Sequence, residues 1–147
     1  MAKKYELSTG RRSANKLFGF LAARGLGGRY LHVLSVRGRT SGKLHSTPVD
    51  VMQDGDDRWL VAPYGAVNWV RNLRAADGDL TLRRGKRIEH LHAREITPGE
   101  AVPVIRKYIR SVPITRDYWN VTADSTDQDI AREGLQHPVF RLIASLT

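Results

Sequence analysis

The chain has 147 residues, enough for one domain with its own core and too few for two of ordinary size. A hydrophobic fraction of 41% and a charged fraction of 27% are those of a globular sequence and exclude a disordered or collagen-like chain. With no cysteine it can build neither a disulfide framework nor a thiolate metal site, and 24 Lys and Arg against 15 Asp and Glu, a net +9, call for an anionic partner: nucleic acid, an acidic membrane surface or a multiply charged small ligand.

The opening residues 1–12, "MAKKYELSTGRR", are polar and are expected to be a flexible segment ahead of a single domain over 13–147. Ser13 is placed to cap a helix through "ANKLFGFLAARG", where Leu17, Phe18, Leu21 and Ala22 recur at helical spacing and Gly25 ends the run. Its apolar stretch is far short of the roughly 20 residues that cross a bilayer. Peripheral contact of this basic, amphipathic helix with an anionic membrane is weighed against the more frequent case, a helix packed on its own domain. The expected location is the cytoplasm, with membrane association as the variant.

The period then becomes strand-like. "YLHVLSV" (30–36), "HSTPVDVMQ" (45–53) and "RWLVAP" (58–63) follow one another with turn residues between, which predicts an antiparallel meander. A short helix fits "VNWVRNLRAAD", with Val67, Val70 and Leu73 on one side. "DLTLRR" and "RIEHLHAREI" make a second hairpin around Arg84-Gly85-Lys86. "TPGEAVPVIRKYIRS" predicts a helix with Thr97 at the N-cap, Pro98 at N1 and Glu100 at N3, and "HPVFRLIAS" a last strand. Five or six short strands interrupted by helices, without βαβ alternation, predict an α+β domain around a small antiparallel barrel.

The densest stretch of chemistry is "VRGRTSGKLHSTPV", residues 36–49. It invites comparison with a nucleotide-phosphate loop, which needs Gly, four residues, Gly-Lys-Ser/Thr and then a helix. Here three residues separate Gly38 from Gly42, Leu44 follows Lys43, and the strand-like continuation contains Pro48, so no helix N-terminus follows. The nucleotide-hydrolase class is excluded on that ground. What remains is a hairpin loop rich in donors, able to bind an anion through amides, hydroxyls and cations, or else an ordinary solvated turn.

Taken together, "VRGRTSGKLHSTPV", "WLVAPYG" and "NWVRNLRAADGDLTLRRG" resemble the deazaflavin-dependent nitroreductase family of actinobacteria, split β-barrel proteins that use coenzyme F420. The matching positions are Gly38-Arg39-Thr40-Ser41-Gly42, Pro48, Val61-Ala62-Pro63 and Trp69-Val70-Arg71-Asn72-Leu73, in order over residues 30 to 95. The chain departs from the family pattern at Thr40 and His45, where basic residues are common, and in its shortened "YGAVN". The resemblance implies an FMN-binding-like split β-barrel, an antiparallel six-stranded barrel with flanking helices. It implies F420 as cofactor, with FMN as the alternative, and hydride transfer to a small-molecule acceptor such as a quinone, enone or nitro compound. It assigns Arg39, Thr40, Ser41, Gly42 and Lys43, with His45, Thr47 and Pro48, to the cofactor, the loop taking the phosphate and oligoglutamate tail. Ala62, Pro63, Tyr64 and Gly65 would border the deazaflavin ring, and Asn68, Trp69 and Asn72 would close that side. Tyr118 is the candidate proton donor; an aromatic pair such as Tyr118-Trp119 is more often core or pocket wall.

Other classes remain in view. A non-catalytic barrel binding F420, a fatty acid or another lipid would share the same fold. Nucleic-acid binding ranks last, because no recognition motif is present and aromatic residues are only 7% of the chain. His90 and His92 share a strand face, but no directed carboxylate is evident and no metal is expected. Arg71, Arg74, Arg83, Arg84, Lys86 and Arg87 form a charge cluster that is usually a solvated face. A homodimer is compatible with the fold but nothing forces one.

Overall fold

A computed structural model describes residues 30–145; the helix expected after Ser13, and with it the membrane contact, lies outside the described residues. Six strands close into an antiparallel barrel: β1 (Leu31–Arg37), β2 (Leu44–Asp54), β3 (Asp57–Val61), β4 (Asp79–Arg84), β5 (Arg87–Glu95) and β6 (Val139–Ala144), in the spatial order β1-β2-β3-β6-β5-β4. Helix α1 (Asn68–Ala75) joins β3 to β4, and α2 (Pro98–Ser111), a 3-10 turn (Pro113–Tyr118) and α3 (Asp127–Glu133) lie between β5 and β6.

The alternation of each strand divides two cores. Leu34, Val36, Val51, Leu60, Ala62, Leu80, Leu82, Leu91, Ala93, Phe140 and Leu142 point into the barrel, and Val70 and Leu73 of α1 join them as the plug of one end. Met52, Val61 and Val139 face outward and pack beneath Ala101, Ile105, Tyr108 and Ile109 of α2, with Trp119 and Ile130 completing that layer. Burying a Leu or Ile in either layer contributes about 1.5–3 kcal/mol, so the pattern of alternation specifies which face of each strand is inside. The capping box expected for α2 is present, Glu100 N–H donating to Thr97 Oγ1 at 3.2 Å and Thr97 N–H to Glu100 Oε1 at 3.4 Å.

One strand boundary, two short elements and one side-chain contact differ from expectation. β3 stops at Val61: the Ala62 N–H still donates to the Pro138 carbonyl, but the chain then turns, closed by the Gly65 N–H on the Ala62 carbonyl. The 3-10 turn and α3 were not anticipated, because both are short and only Thr115, Tyr118, Ile130 and Glu133 in them are buried, too few to make a helical stripe. The hairpin histidine also has a carboxylate neighbour, contrary to expectation: His90 Nε2 hydrogen-bonds Asp79 across the β4–β5 pair, while Glu89 turns to the opposite face. Among the described residues no three His, Asp or Glu side chains form a metal-holding group.

The barrel end with the β2–β3 and β4–β5 turns is polar. Arg58 donates twice to Glu89, at 2.9 and 2.8 Å, and Arg84 donates to the Leu31 carbonyl at 2.7 Å. The Arg58 guanidinium holds the Glu89 carboxyl below the ordinary carboxylate range, against a smaller opposing push from burial. Because the native-state value is the lowered one, this stabilisation is complete above the unfolded carboxylate range and is lost as pH falls through the native value. Glu89→Gln should therefore lower stability by about 1–2 kcal/mol at neutral pH. Urea melts at a series of pH values should show the difference from wild type shrinking toward zero in acid; a difference that persists unchanged there would contradict the ion-pair account.

Candidate cofactor and acceptor site

Residues 38–43 form a tight loop between β1 and β2. The Gly38 N–H donates to the Lys43 carbonyl at 2.7 Å and the Gly42 N–H to the Gly38 carbonyl at 3.0 Å, while Arg37 reaches back to the Gly42 carbonyl at 3.1 Å. Gly42 has φ +70°, a conformation that costs any residue with a Cβ. Arg39 is exposed, yet its backbone N–H and its guanidinium both donate to Asn72 Oδ1, at 3.1 and 2.7 Å. Asn72 is 5% exposed, so the loop is fastened to α1 through a buried acceptor.

That fastening leaves the tip of the loop with donors to spare. Among the described residues, the Thr40 and Ser41 amides, the Thr40 hydroxyl and the Lys43 ammonium enter no hydrogen bond, whereas Ser41 Oγ accepts from the Lys43 N–H at 3.1 Å. Thr40, Ser41, Gly42 and Lys43 are all exposed. The His45 imidazole lies over Gly38, where an added Cβ would stand 2.7 Å from its Nε2. Thr47 and Pro48, both half-buried, follow on β2 opposite Leu34 and Val33. Free amides, a hydroxyl and an ammonium on one loop are the donor chemistry that a phosphodiester and an acidic tail require.

Ala62-Pro63-Tyr64-Gly65 is a turn closed by the Gly65 N–H on the Ala62 carbonyl at 3.2 Å, with Gly65 at φ +85°. The Tyr64 ring meets Tyr118 edge-on, with centroids 4.7 Å apart. The residues assigned to the ring side and the candidate proton donor are thus brought together, and Tyr118 is buried. Trp69 is half-buried against Phe140, centroids 6.0 Å apart, and so holds α1 on the barrel; Asn68 is exposed at the helix start.

Several residues near this turn were not singled out from the sequence. Asp50, on the outer face of β2 with Met52, has its carboxyl pushed up by burial. Burial pushes the Tyr108 phenol well above its ordinary value, with Asp50 and Tyr64 adding to the effect. His137 and Glu133 are buried, with Nε2 and Oε1 3.1 Å apart, and the imidazole stacks on Trp119 at 3.9 Å. The only sequence signal for the last two was polar residues flanking the helix end before "HPVF", a pattern shared by many surface turns. Of the charge cluster, Arg74 is paired with Glu95 at 2.8 Å and Arg87 with Glu89 at 3.5 Å.

The loop's dependence on α1 is open to measurement. Asn72→Ala strips Arg39 of its buried acceptor and should cost about 1–2 kcal/mol. A double-mutant cycle with Arg39→Ala in urea melts should return a coupling of about 1 kcal/mol, since both substitutions remove the same pair. Additive losses would mean that the two residues do not hold one another.

Residues 9–131 match the family described as F420H(2)-dependent quinone reductase. No curated protein matches the sequence at a significant level. Among solved structures, one described as a domain-swapped dimer is 18% identical, with a TM-score of 0.59 over 91% of this chain and 96% of that one. An F420-H2 dependent reductase is 19% identical, TM-score 0.56, over 78% and 95%. A putative pyridoxamine 5'-phosphate oxidase from Listeria innocua is 10% identical, TM-score 0.52, over 78% and 83%. The barrel is a split β-barrel of the FMN-binding-like kind, as the resemblance implied, and the family match favours F420 over FMN as the cofactor. The chain belongs to the F420H(2)-dependent quinone reductase family.

Proposed function

We propose that this protein transfers a hydride from reduced coenzyme F420 to an electron-poor acceptor, a quinone before an enone or a nitro compound. The observation that carries the proposal is the loop at 38–43, fixed to α1 by Arg39 and Asn72 while its own tip keeps unspent donors. Thr40, Ser41 and Lys43 would hold the phosphate and oligoglutamate tail, with His45 and Thr47 along the same strand. This also gives the net charge of +9 a use, since a cationic loop attracts a polyanionic cofactor from a distance.

Ala62, Pro63, Tyr64 and Gly65 would border the ring. The deazaflavin supplies a hydride when it is bound in its reduced form. The chain's part is to orient that ring and exclude water, which the Tyr64–Tyr118 contact and the buried layer behind it are arranged to do. Reduction of a quinone leaves an oxygen anion, and Tyr118 is our candidate for its proton. A cytoplasmic location and a pair of barrels in solution complete the proposal, the latter because a structure of this fold is a domain-swapped dimer.

Fluorescence titration with F420, followed by turnover of menadione, tests the assignment; binding without turnover would make the protein a carrier, and no binding would remove the proposal. Lys43→Ala should weaken long-tailed F420 about tenfold and leave a tail-less analogue nearly unaffected. Equal losses for both would show that the loop does not read the tail. Tyr118→Phe should lower menadione kcat by about tenfold or more at unchanged F420 affinity if the hydroxyl gives the proton. An unchanged kcat would leave Tyr118 as a wall.

A further inference from the structure

Ala62 is where the two halves of the chain grip one another. Its N–H donates to the Pro138 carbonyl at 2.9 Å, and its carbonyl accepts from the Gly65 N–H and also faces His137 Nδ1 at 3.0 Å. A carbonyl only accepts, so Nδ1 carries a proton and donates it to Ala62. Nε2 faces Glu133 Oε1 at 3.1 Å, a contact completed by one further proton on the imidazole or the carboxyl, and that same oxygen accepts the Asn120 N–H at 3.2 Å. The two side chains are 6% and 7% exposed, and the imidazole lies flat on Trp119, tilted by 25°.

One buried pair therefore reaches three segments. The turn at 62–65 carries Tyr64, the segment at 118–120 carries Tyr118, and the α3 end carries Glu133 itself. Gly65 also sits against the 134–138 segment: an added Cβ would stand 3.3 Å from the Gln136 carbonyl. Without His137 the Ala62 carbonyl keeps a single donor, and Glu133 loses the partner that aims it at Asn120. Both losses fall beside the Tyr64–Tyr118 contact, one on the turn that carries Tyr64 and one on the segment that follows Tyr118.

We propose that His137, oriented by Glu133, is a positioning residue that sets the Tyr64–Tyr118 wall against the deazaflavin ring. This rests on the assignment of F420 made above. His137 touches neither ring nor acceptor; it acts through the Ala62 carbonyl and through Trp119. Its removal is felt on the ring side of the site and spares the loop that reads the tail.

The test uses the whole protein and three variants. Amide hydrogen exchange without ligand follows Gly65 and Asn120, whose N–H groups point into the cluster. His137→Phe preserves the stack on Trp119 and should speed exchange at both amides by about tenfold, the effect of losing one buried hydrogen bond. F420 and a tail-less analogue should both bind about tenfold more weakly, unlike the tail-selective loss expected for Lys43→Ala. His137→Asn places an amide donor where Nδ1 stood and should restore Gly65 protection and most of the affinity, but not Asn120 protection. Glu133→Gln should move the same readouts in the same direction by less, which keeps the test available if His137→Phe does not fold. Unchanged Gly65 exchange in a folded His137→Phe protein, or unchanged affinity for the tail-less analogue, would overturn the proposal. Failure of the wild-type protein to bind F420 would overturn the functional assignment, and the exchange data would still report whether the pair holds the turn.

Discussion

Pairing of β6 between β3 and β5 is the constraint on which the rest of this structure depends. Leu60 opposes Phe140 and Ala93 opposes Leu142, contacts between residues far apart in the chain that turn an open meander into a closed barrel. Closure removes the free sheet edges and encloses one apolar interior, which α1 then plugs. It also carries the residues just ahead of β6 across to the end of β3, and this places His137 and Pro138 on Ala62. The ring side of the proposed site lies at that seam, and the loop at 38–43 lies between β1 and β2.

The two ends of the barrel differ in how completely their cations are paired. At the end with the hairpin turns, cations are consumed internally: Arg58 by Glu89, Arg84 by the Leu31 carbonyl, Arg141 by Asp57. At the end with α1, Arg39 is consumed in holding the loop, Arg37 by the Gly42 carbonyl and Arg74 by Glu95, while Lys43 at the loop tip has no acceptor among the described residues. The donors at that tip stay available. A basic chain of this size has more cations than its fold needs, and their chemical use depends on which ones lack a local acceptor.

Much of the fold was legible because the barrel is built from strongly periodic pieces. Alternation in "YLHVLSV" and "DLTLRR", the turn residues between strands, and the Thr97-Pro98-Glu100 start of α2 are local signals, and each produced the element expected. The loop at 38–43 was legible as a hairpin for the same reason: Pro48 and Leu44 rule out a helix locally. The 3-10 turn and α3 were not, because their conformation is sustained by a few buried contacts with other segments. Asn72 was expected beside the cofactor, and its identity as the loop's anchor needed the distance to Arg39, 33 residues away.

The sequence by itself determined the strand pattern, the placement of the turns, the cationic excess and the ordered motifs that carry the family resemblance. All of these depend on spacing within a few residues, where backbone geometry and side-chain period act directly. Only the tertiary structure decided which donors of the loop remain free, that Tyr64 meets Tyr118, and that His137 and Glu133 are buried behind them. Those facts depend on barrel closure, which brings His137 to Ala62 across 75 positions of chain and takes both out of water. A polar side chain's role is set by the partner it finds there, and local sequence holds no record of that partner.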